Sequence, residues 1–497
     1  MISAVSEDAL GKAGLPGDCF CWKWLAVKFS LNGRGEQSRM RRRNPQFHRK
    51  LRISYLCLSV FICGLSVLIL LAPSAAAQDW FRTGTGLGVE KARVAVADFA
   101  PRSPSSEPLA RIFSDVVRSD LDFSGILELV SKSFYPLEAP SVPAELKPAA
   151  WSGAPASAHF LAFGNLTASG NDLAIEAWLY DVANPAAPPV LGKRYRGEVT
   201  DAQLRRFAHQ FADEIISRLS GGVPGVASTQ IVFVSSRSGN KEIWVMDYDG
   251  ANPRQISFLR SIALTPRWSP DATRIAFTCY APAGGFMSAQ ICIHSLETGK
   301  PVSFPRWHGT NSAPAWSPDG SQVMFMSSMH GNPEVFVADA NGGHLKRLTY
   351  SAGANTSPAW NPKTGQQVAF VSDRGGFPQL YVMNADGSST EKIDLPDMGY
   401  VIDPSWSPNG QLLAFSWRRP SGNYDLYVMD IASRKIIELT RDAARNERPN
   451  WAPDGRHIVF ESTRTGTRQI WSMLADGTQL RQLTTQAHNE SPNWSPR

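Results

Sequence analysis

The 497-residue chain is poor in cysteine, in net charge outside its leading segment, and in the short motifs that carry catalysis. Four of its six cysteines (Cys19, Cys21, Cys57 and Cys63) precede residue 64, which leaves only Cys279 and Cys292 for the body. That excludes a disulfide-built scaffold and a cysteine metal cluster. Residues 1–52 hold 11 Lys and Arg against 4 Asp and Glu, a net of +7 in a chain of +6, so the remainder carries 6 − 7 = −1. A body without cationic excess offers no sequence-level case for binding a phosphate backbone. There is no Gly-x-Ser-x-Gly, no His-Glu-x-x-His and no Gly-rich phosphate loop, so hydrolase, metalloprotease and nucleotide chemistry lack their usual signatures. With 43% hydrophobic and 19% charged residues, the composition is nonetheless globular, and the length asks for two or more domains.

The one long apolar stretch runs from Ile53 to Ala72. Arg41, Arg42, Arg43, Arg49, Lys50 and Arg52 precede it, and Pro73 and Ala75-Ala76-Ala77-Gln78 follow. A charged region, an apolar region and an A-x-A site are the parts of an export signal. Cleavage is expected after Ala77, with residues 1–77 as extension and signal, and Met40 as the expected start of translation. The stretch is also long enough to span a bilayer, which takes about 20 residues; the well-formed cleavage site favours removal.

What the body has in abundance is a repeat. Pro-x-Trp followed by Ser, Ala or Asn and then Pro occurs six times, with Trp at 268, 316, 360, 406, 451 and 494. The spacings are 48, 44, 46, 45 and 43 residues, the period of a propeller blade. Each unit continues with a turn such as Ser317-Pro318-Asp319-Gly320 and a short apolar strand such as Gln367-Val368-Ala369-Phe370. A polar turn, a third strand (Gln379 to Asn384), an Asp-Gly hairpin and a fourth strand (Leu345 to Thr349) complete the pattern. The first unit, from Ile231, lacks the Pro-x-Trp strand, and the last, from Asn489, has only that strand. Joined, they make one blade, so the expectation is an α/β N-terminal domain followed by an all-β six-bladed β-propeller at residues 231–497.

Residues 78–220 read as the α/β domain: a strand at Ala92 to Phe99, a helix at Leu109 to Leu121, strands at Ile126 to Val130, Phe160 to Phe163 and Leu173 to Tyr180, and a helix at Ala202 to Leu219. Residues 221–230, opening Gly221-Gly222-Val223-Pro224-Gly225, read as a linker. Trp151 and Gly153, Phe163-Gly164, Tyr180-Asp181-Val182, and Arg206-Phe207-Ala208-His209 with Asp213 resemble the amino-terminal domain of the TolB family. The Trp-Ser-Pro-Asp-Gly and Met-Asn-Ala-Asp-Gly units from Ile231 to Arg497 are similar to that family's propeller repeat. The resemblance covers essentially all of the chain after the leader. It implies a periplasmic, non-enzymatic scaffold of the Tol–Pal system, without cofactor, that maintains outer-membrane integrity and supports constriction at division. Its implied partners are Pal, the peptidoglycan-associated lipoprotein, and a TolA-like inner-membrane protein. Two readings stand beside it: an exported or peptidase-associated propeller enzyme, and a glycan-binding propeller. With the repeat running to the C-terminus, no hydrolase domain is expected after it, and the Trp residues recur at one blade position, which argues for packing.

Blade geometry places the connection into strand one and the turn between strands two and three on a common face. Asn311, Asn355, Asn446 and Asn489 recur at the first, and Arg237, Arg374, Arg419 and Arg464 at the second. Asp403, Glu447 and Glu490 fall near the channel. This ring is the expected Pal-docking face; the bland reading is that Asn shapes the loops and Arg pairs between blades. The family's amino-terminal segment contacts TolA, and here Trp80 and Phe81 are the expected anchors, although the surrounding residues depart from the family's Asp/Ser/Gly-rich pattern. His209 and Asp213, four apart on a helix, could make a metal pair, but with no third ligand they read as a packing position. Asp247 to Gly250 reads as a hairpin, since a calcium loop needs further ligands. Cys279 and Cys292 replace Ser and aromatic residues of the other blades on neighbouring strands; a cross-strand disulfide and two buried thiols both fit.

Overall fold

The computed structural model describes residues 91–420, 422–441 and 444–497. The leader, its cleavage site, and Trp80 and Phe81 lie outside the described residues. In the α/β domain the sheet order is Leu127–Leu129, Ala92–Val96, Phe160–Ser169, Asp172–Asp181, Leu191–Glu198. The first three strands are parallel and the last two join antiparallel. Helices α1 (Glu107–Phe123) and α2 (Asp201–Leu219) pack together over one face. In α1, Ala110, Phe113, Val116, Val117 and Leu121 recur at helical spacing and are buried. At the start of α2, the Thr200 hydroxyl accepts from the Gln203 N–H at 3.1 Å, a side-chain cap. Gly164 is required by space: a Cβ there would lie 2.1 Å from the Glu176 carbonyl oxygen.

The strand Leu191–Glu198 was not expected from the sequence. Its exposed positions, Gly192, Arg194, Arg196 and Glu198, alternate with half-buried ones, as on an edge strand. The hairpin beside it is longer than expected, because Asn165 to Ser169 continue the pairing to Asp172.

Six four-stranded sheets follow, one per blade. Blades one to five begin at Ala263, Asn311, Asn355, Tyr400 and Asn446. The sixth has the order Asn489–Trp494, Gln230–Ser235, Glu242–Asp247, Arg254–Gln255, so strands from both ends of the propeller segment close the ring as expected. Every innermost strand carries a bulge just before its Trp. The residue preceding the motif Pro is left-handed in all six: Thr265, Ala313, Ser357, Asp403, Arg448 and Ser491, with φ between 48° and 57°. A single residue at positive φ is how one extra residue is taken up without losing the ladder.

The motif Trp side chains fasten blade to blade. Trp268, Trp316, Trp406 and Trp451 donate their indole N–H to the carbonyls of Asn493, Arg267, Ala359 and Ser405, at 3.1 to 3.3 Å. In each case the acceptor is the residue before the preceding blade's Trp. Trp360 turns instead to Gly365 of its own turn at 2.8 Å. That turn, Asn361-Pro362-Lys363-Thr364-Gly365, is one residue longer than Ser317-Pro318-Asp319-Gly320.

The α/β domain rests on the Asp-Gly face of blades five and six. Phe123, at the end of α1, joins a buried cluster with Tyr248, Ala452 and Trp494. The His457 ring nitrogens lie 2.8 Å from the Phe123 carbonyl oxygen and 2.7 Å from Asp454 Oδ2. Burial alone would raise the Asp454 carboxyl, but His457 and Arg456 hold it well below the usual carboxylate range. Arg205 pairs with Asp249, and Arg481 with Asp122 at 2.7 Å. Among the described residues, all these contacts leave the opposite propeller face uncovered.

Candidate functional site

The four asparagines do not form a docking surface; this corrects the expectation. Asn311, Asn355, Asn446 and Asn489 are wholly buried. Each sits at the start of an innermost strand and reaches back to the preceding blade. Asn355 Nδ2 donates to Glu334 at 2.7 Å and Asn446 Nδ2 to Asp425 at 2.9 Å. Asn489 and Asn311 donate to Gln469 and Gln290 at 2.8 and 3.1 Å. The acceptors are buried too and also take hydroxyls, Thr440 on Asp425 and Thr484 on Gln469, both at 2.7 Å. Asparagine recurs because a buried acceptor needs a short amide donor from the next blade.

The arginines do reach the surface. Arg237, Arg374 and Arg464 stand 4.8, 4.8 and 4.9 Å above the rings of Trp244, Tyr381 and Trp471, and Arg419 5.3 Å above Tyr427. Nε of Arg237, Arg374 and Arg464 bonds the Ser235, Ser372 and Ser462 hydroxyls. Arg374 and Arg464 also donate to the Asn355 and Asn446 side-chain oxygens, each at 2.8 Å. A guanidinium stacked on a ring and held along one edge keeps its other edge aimed outward.

Inside the ring, Asp403, Glu447 and Glu490 join a charge network in the channel. Arg468 reaches Glu447, Glu461 and Glu490 at 3.2, 3.3 and 3.1 Å. Arg448 lies 3.8 Å from Asp403 and 3.6 Å from Glu461. Lys241 closes on Glu490 and Arg445 on Glu447, each at 2.6 Å. Burial pushes the Asp403 and Glu461 carboxyls up against the pull of these arginines. At Glu490 burial is overcome by Lys241, and the net shift is downward. Glu461 was missed in the sequence. The signal is a departure from the repeat, since Val234, Met326 and Val371 occupy the same register in other blades. Toward the Trp end the channel widens into a cavity of about 390 Å³ walled by the motif Trp and Pro residues and Arg267. Burial lowers Arg267 to about 10.

His209 and Asp213 part company. His209 Nδ1 is 2.7 Å from Asp120 Oδ2, and Asp120 accepts from the Tyr248 hydroxyl across the domain contact at 2.5 Å. Burial pulls the His209 imidazole down, but the hydrogen bond and charge of Asp120 carry it above the ordinary histidine value. Asp213 accepts the backbone N–H groups of Ala227 and Ser228, each at 2.8 Å, and so fixes the segment entering the propeller. Among the described residues no three His, Cys, Asp or Glu side chains converge as a metal site would require. Cys279 and Cys292 are disulfide-bonded, with Cα atoms 5.9 Å apart.

Residues 85–187 match the TolB amino-terminal domain, and residues 217–401 and 395–497 match the TolB beta propeller domain. The chain belongs to the TolB family. Among TolB relatives, the Protein TolB homolog of Chlorobium chlorochromatii is 33% identical over 273 residues, 53% of this chain and 57% of that protein. The Tol-Pal system protein TolB of Bordetella pertussis is 31% identical over 307 residues, 60% and 66% of the two chains. The chain thus spans under two thirds of the length of these curated TolB relatives. The crystal structure of TolB from Acinetobacter baumannii superposes with a TM-score of 0.69 at 24% identity, over 82% of this chain and 98% of that one, and so shares the fold. None of these TolB names indicates an enzyme.

Proposed function

We propose that this chain is a periplasmic protein-binding scaffold of the Tol–Pal system. In this reading the leader is removed after Ala77, and the body from Gln78 onward links envelope proteins to keep the outer membrane intact and to support constriction at division. Among the described residues, no helix is long and apolar enough to cross a membrane. The observation that carries the reading is the uncovered propeller face, where stacked arginines form an arc beside a charged channel mouth. Fixed surface groups around a concave opening suit a folded protein partner. That partner is the peptidoglycan-associated lipoprotein. The segment holding Trp80 and Phe81 takes a TolA-like inner-membrane protein.

Titration calorimetry of residues 78–497 against the soluble domain of the lipoprotein tests this. Saturable binding, lost when the propeller is removed, supports the scaffold. A folded chain that takes up no lipoprotein refutes it.

A further inference from the structure

The uncovered face is two-sided. Blades three to six carry Arg374, Arg419, Arg464 and Arg237 at one turn position, and Arg418 adds a fifth. At that position blades one and two have Ala281 and Met329 instead. Among the described residues, no carboxylate is ion-paired with Arg237, Arg374 or Arg464; their bonds go to hydroxyl and amide oxygens.

Across the channel, blade one is built differently. Its second and third strands are ten residues each, against six in blade two. The excess forms a projecting hairpin, paired Ala281 to Ser288 and Ala283 to Phe286. The disulfide of Cys279 and Cys292 ties its base, and Arg306 donates to the Pro282 carbonyl at 3.3 Å. Phe286 and Met287 at the tip are 80% and 60% exposed, and Phe258, in the loop before the blade's first strand, is 73% exposed. The Tyr280 N–H donates to the Ile262 carbonyl at 3.2 Å, which ties the hairpin root to the preceding loop, where Ile262 is itself exposed. Large side chains held out on a braced hairpin mark a contact surface.

We infer that this face reads its partner in two halves: the arginine arc takes surface carboxylates, and the hairpin of blade one seats Phe286 and Met287 in an apolar recess of the same folded protein. Charge complementarity selects the occupant. Among the described residues, Arg237, Arg374 and Arg464 have no ion-paired carboxylate, while Arg419 has Asp397 at 3.8 Å. Three such arginines call for an acidic surface, and an apolar tip across the channel from them has no use for a purely ionic polymer. The inference rests on the scaffold reading and specifies its docking chemistry.

Kinetic binding of the lipoprotein's soluble domain to residues 78–497, at low and high salt, separates the halves. Phe286→Ser with Met287→Ser is expected to raise the dissociation rate about tenfold and spare association, as loss of apolar anchors does. Arg374→Gln with Arg464→Gln is expected to slow association about tenfold at low salt and flatten its salt dependence. Melting curves confirm that each variant is folded. Tight wild-type binding that ignores salt and both variants overturns the inference while the scaffold reading stands. If the lipoprotein does not bind at all, the scaffold reading falls, and poly-L-glutamate becomes the deciding probe. Retention at low salt, lost in the arginine variant, keeps the carboxylate half; no retention, or tighter retention of a sulfated polysaccharide, overturns it.

Discussion

Phe123 of the α/β domain lies flat on His457 of the propeller, with ring centroids 4.2 Å apart and planes 13° from parallel. The same phenylalanine meets Tyr248 at 5.0 Å and carries the Arg481 guanidinium 4.9 Å above its ring. One side chain thus touches blades five and six at once, and the two domains share its burial. Phe123→Ala should destabilise the chain by about 3–5 kcal/mol, the usual cost of emptying a core phenylalanine site. Urea unfolding followed by near-ultraviolet dichroism should show the α/β domain melting ahead of the ring. A midpoint matching the parent would mean that the contact contributes little.

Asp454 makes that contact sensitive to acid. Its folded carboxyl titrates below the ordinary value of 3.8. A depressed carboxyl contributes stability that is complete above the unfolded value and fades as pH falls toward the folded one. Asp454→Asn should therefore cost about 3 kcal/mol near neutrality, as when one partner of a buried pair is removed. The deficit should shrink steadily below pH 3.8. A deficit that does not change with pH would contradict the assignment.

Asn355→Ala would leave the buried Glu334 without its closest amide donor. Glu334 keeps Arg347, Thr349 and Ser351, so the loss is one hydrogen bond to a carboxylate, about 1.5–2 kcal/mol. Asn446→Ala should behave alike, because Asp425 loses the same kind of donor. Calorimetric melting temperatures of both variants test the claim that these amides hold blades together.

Trp316→Phe and Trp360→Phe keep an aromatic ring and remove one indole N–H. The first breaks a bond to the neighbouring blade and the second a bond within its own turn. Both should cost about 1 kcal/mol in equilibrium stability. Only Trp316→Phe should loosen exchange protection in blades one and two together, a difference that amide exchange resolves.

Reducing Cys279–Cys292, which are 13 residues apart, should cost about 3 kcal/mol through the freedom regained by the unfolded chain. Thiol titration of denatured, unreduced protein should find neither of these two sulfurs free.

Much of the fold was legible because it is repetitive. A Trp recurring every 43 to 48 residues leaves little room for other architectures, and the incomplete end units displayed their own pairing. The strand Leu191–Glu198 stayed hidden because its exposed positions are polar or glycine, so it lacks the apolar run that marks an inner strand. The asparagines misled for a different reason. A polar residue recurring at a loop position looks the same whether it points outward or into the gap between blades. Only packing decides, and the acceptors Glu334, Asp425 and Gln469 come from the preceding blade, 20 or 21 residues away. Arg237, Arg374 and Arg464 lie over rings at the strand two–three turns, and Glu447 and Glu490 in the channel network, while Glu461 needed a comparison of registers across blades.

The sixth blade sets a condition on how the molecule comes into being. Its innermost strand is Asn489–Trp494, made some 250 residues after the strand it pairs with at Gln230–Ser235. Until those six residues dock, the inner edge of Gln230–Ser235 has no partner, and strand edges recruit other chains. The clasp thus makes closure of the ring, and not the folding of any one blade, the step that hides this inner edge.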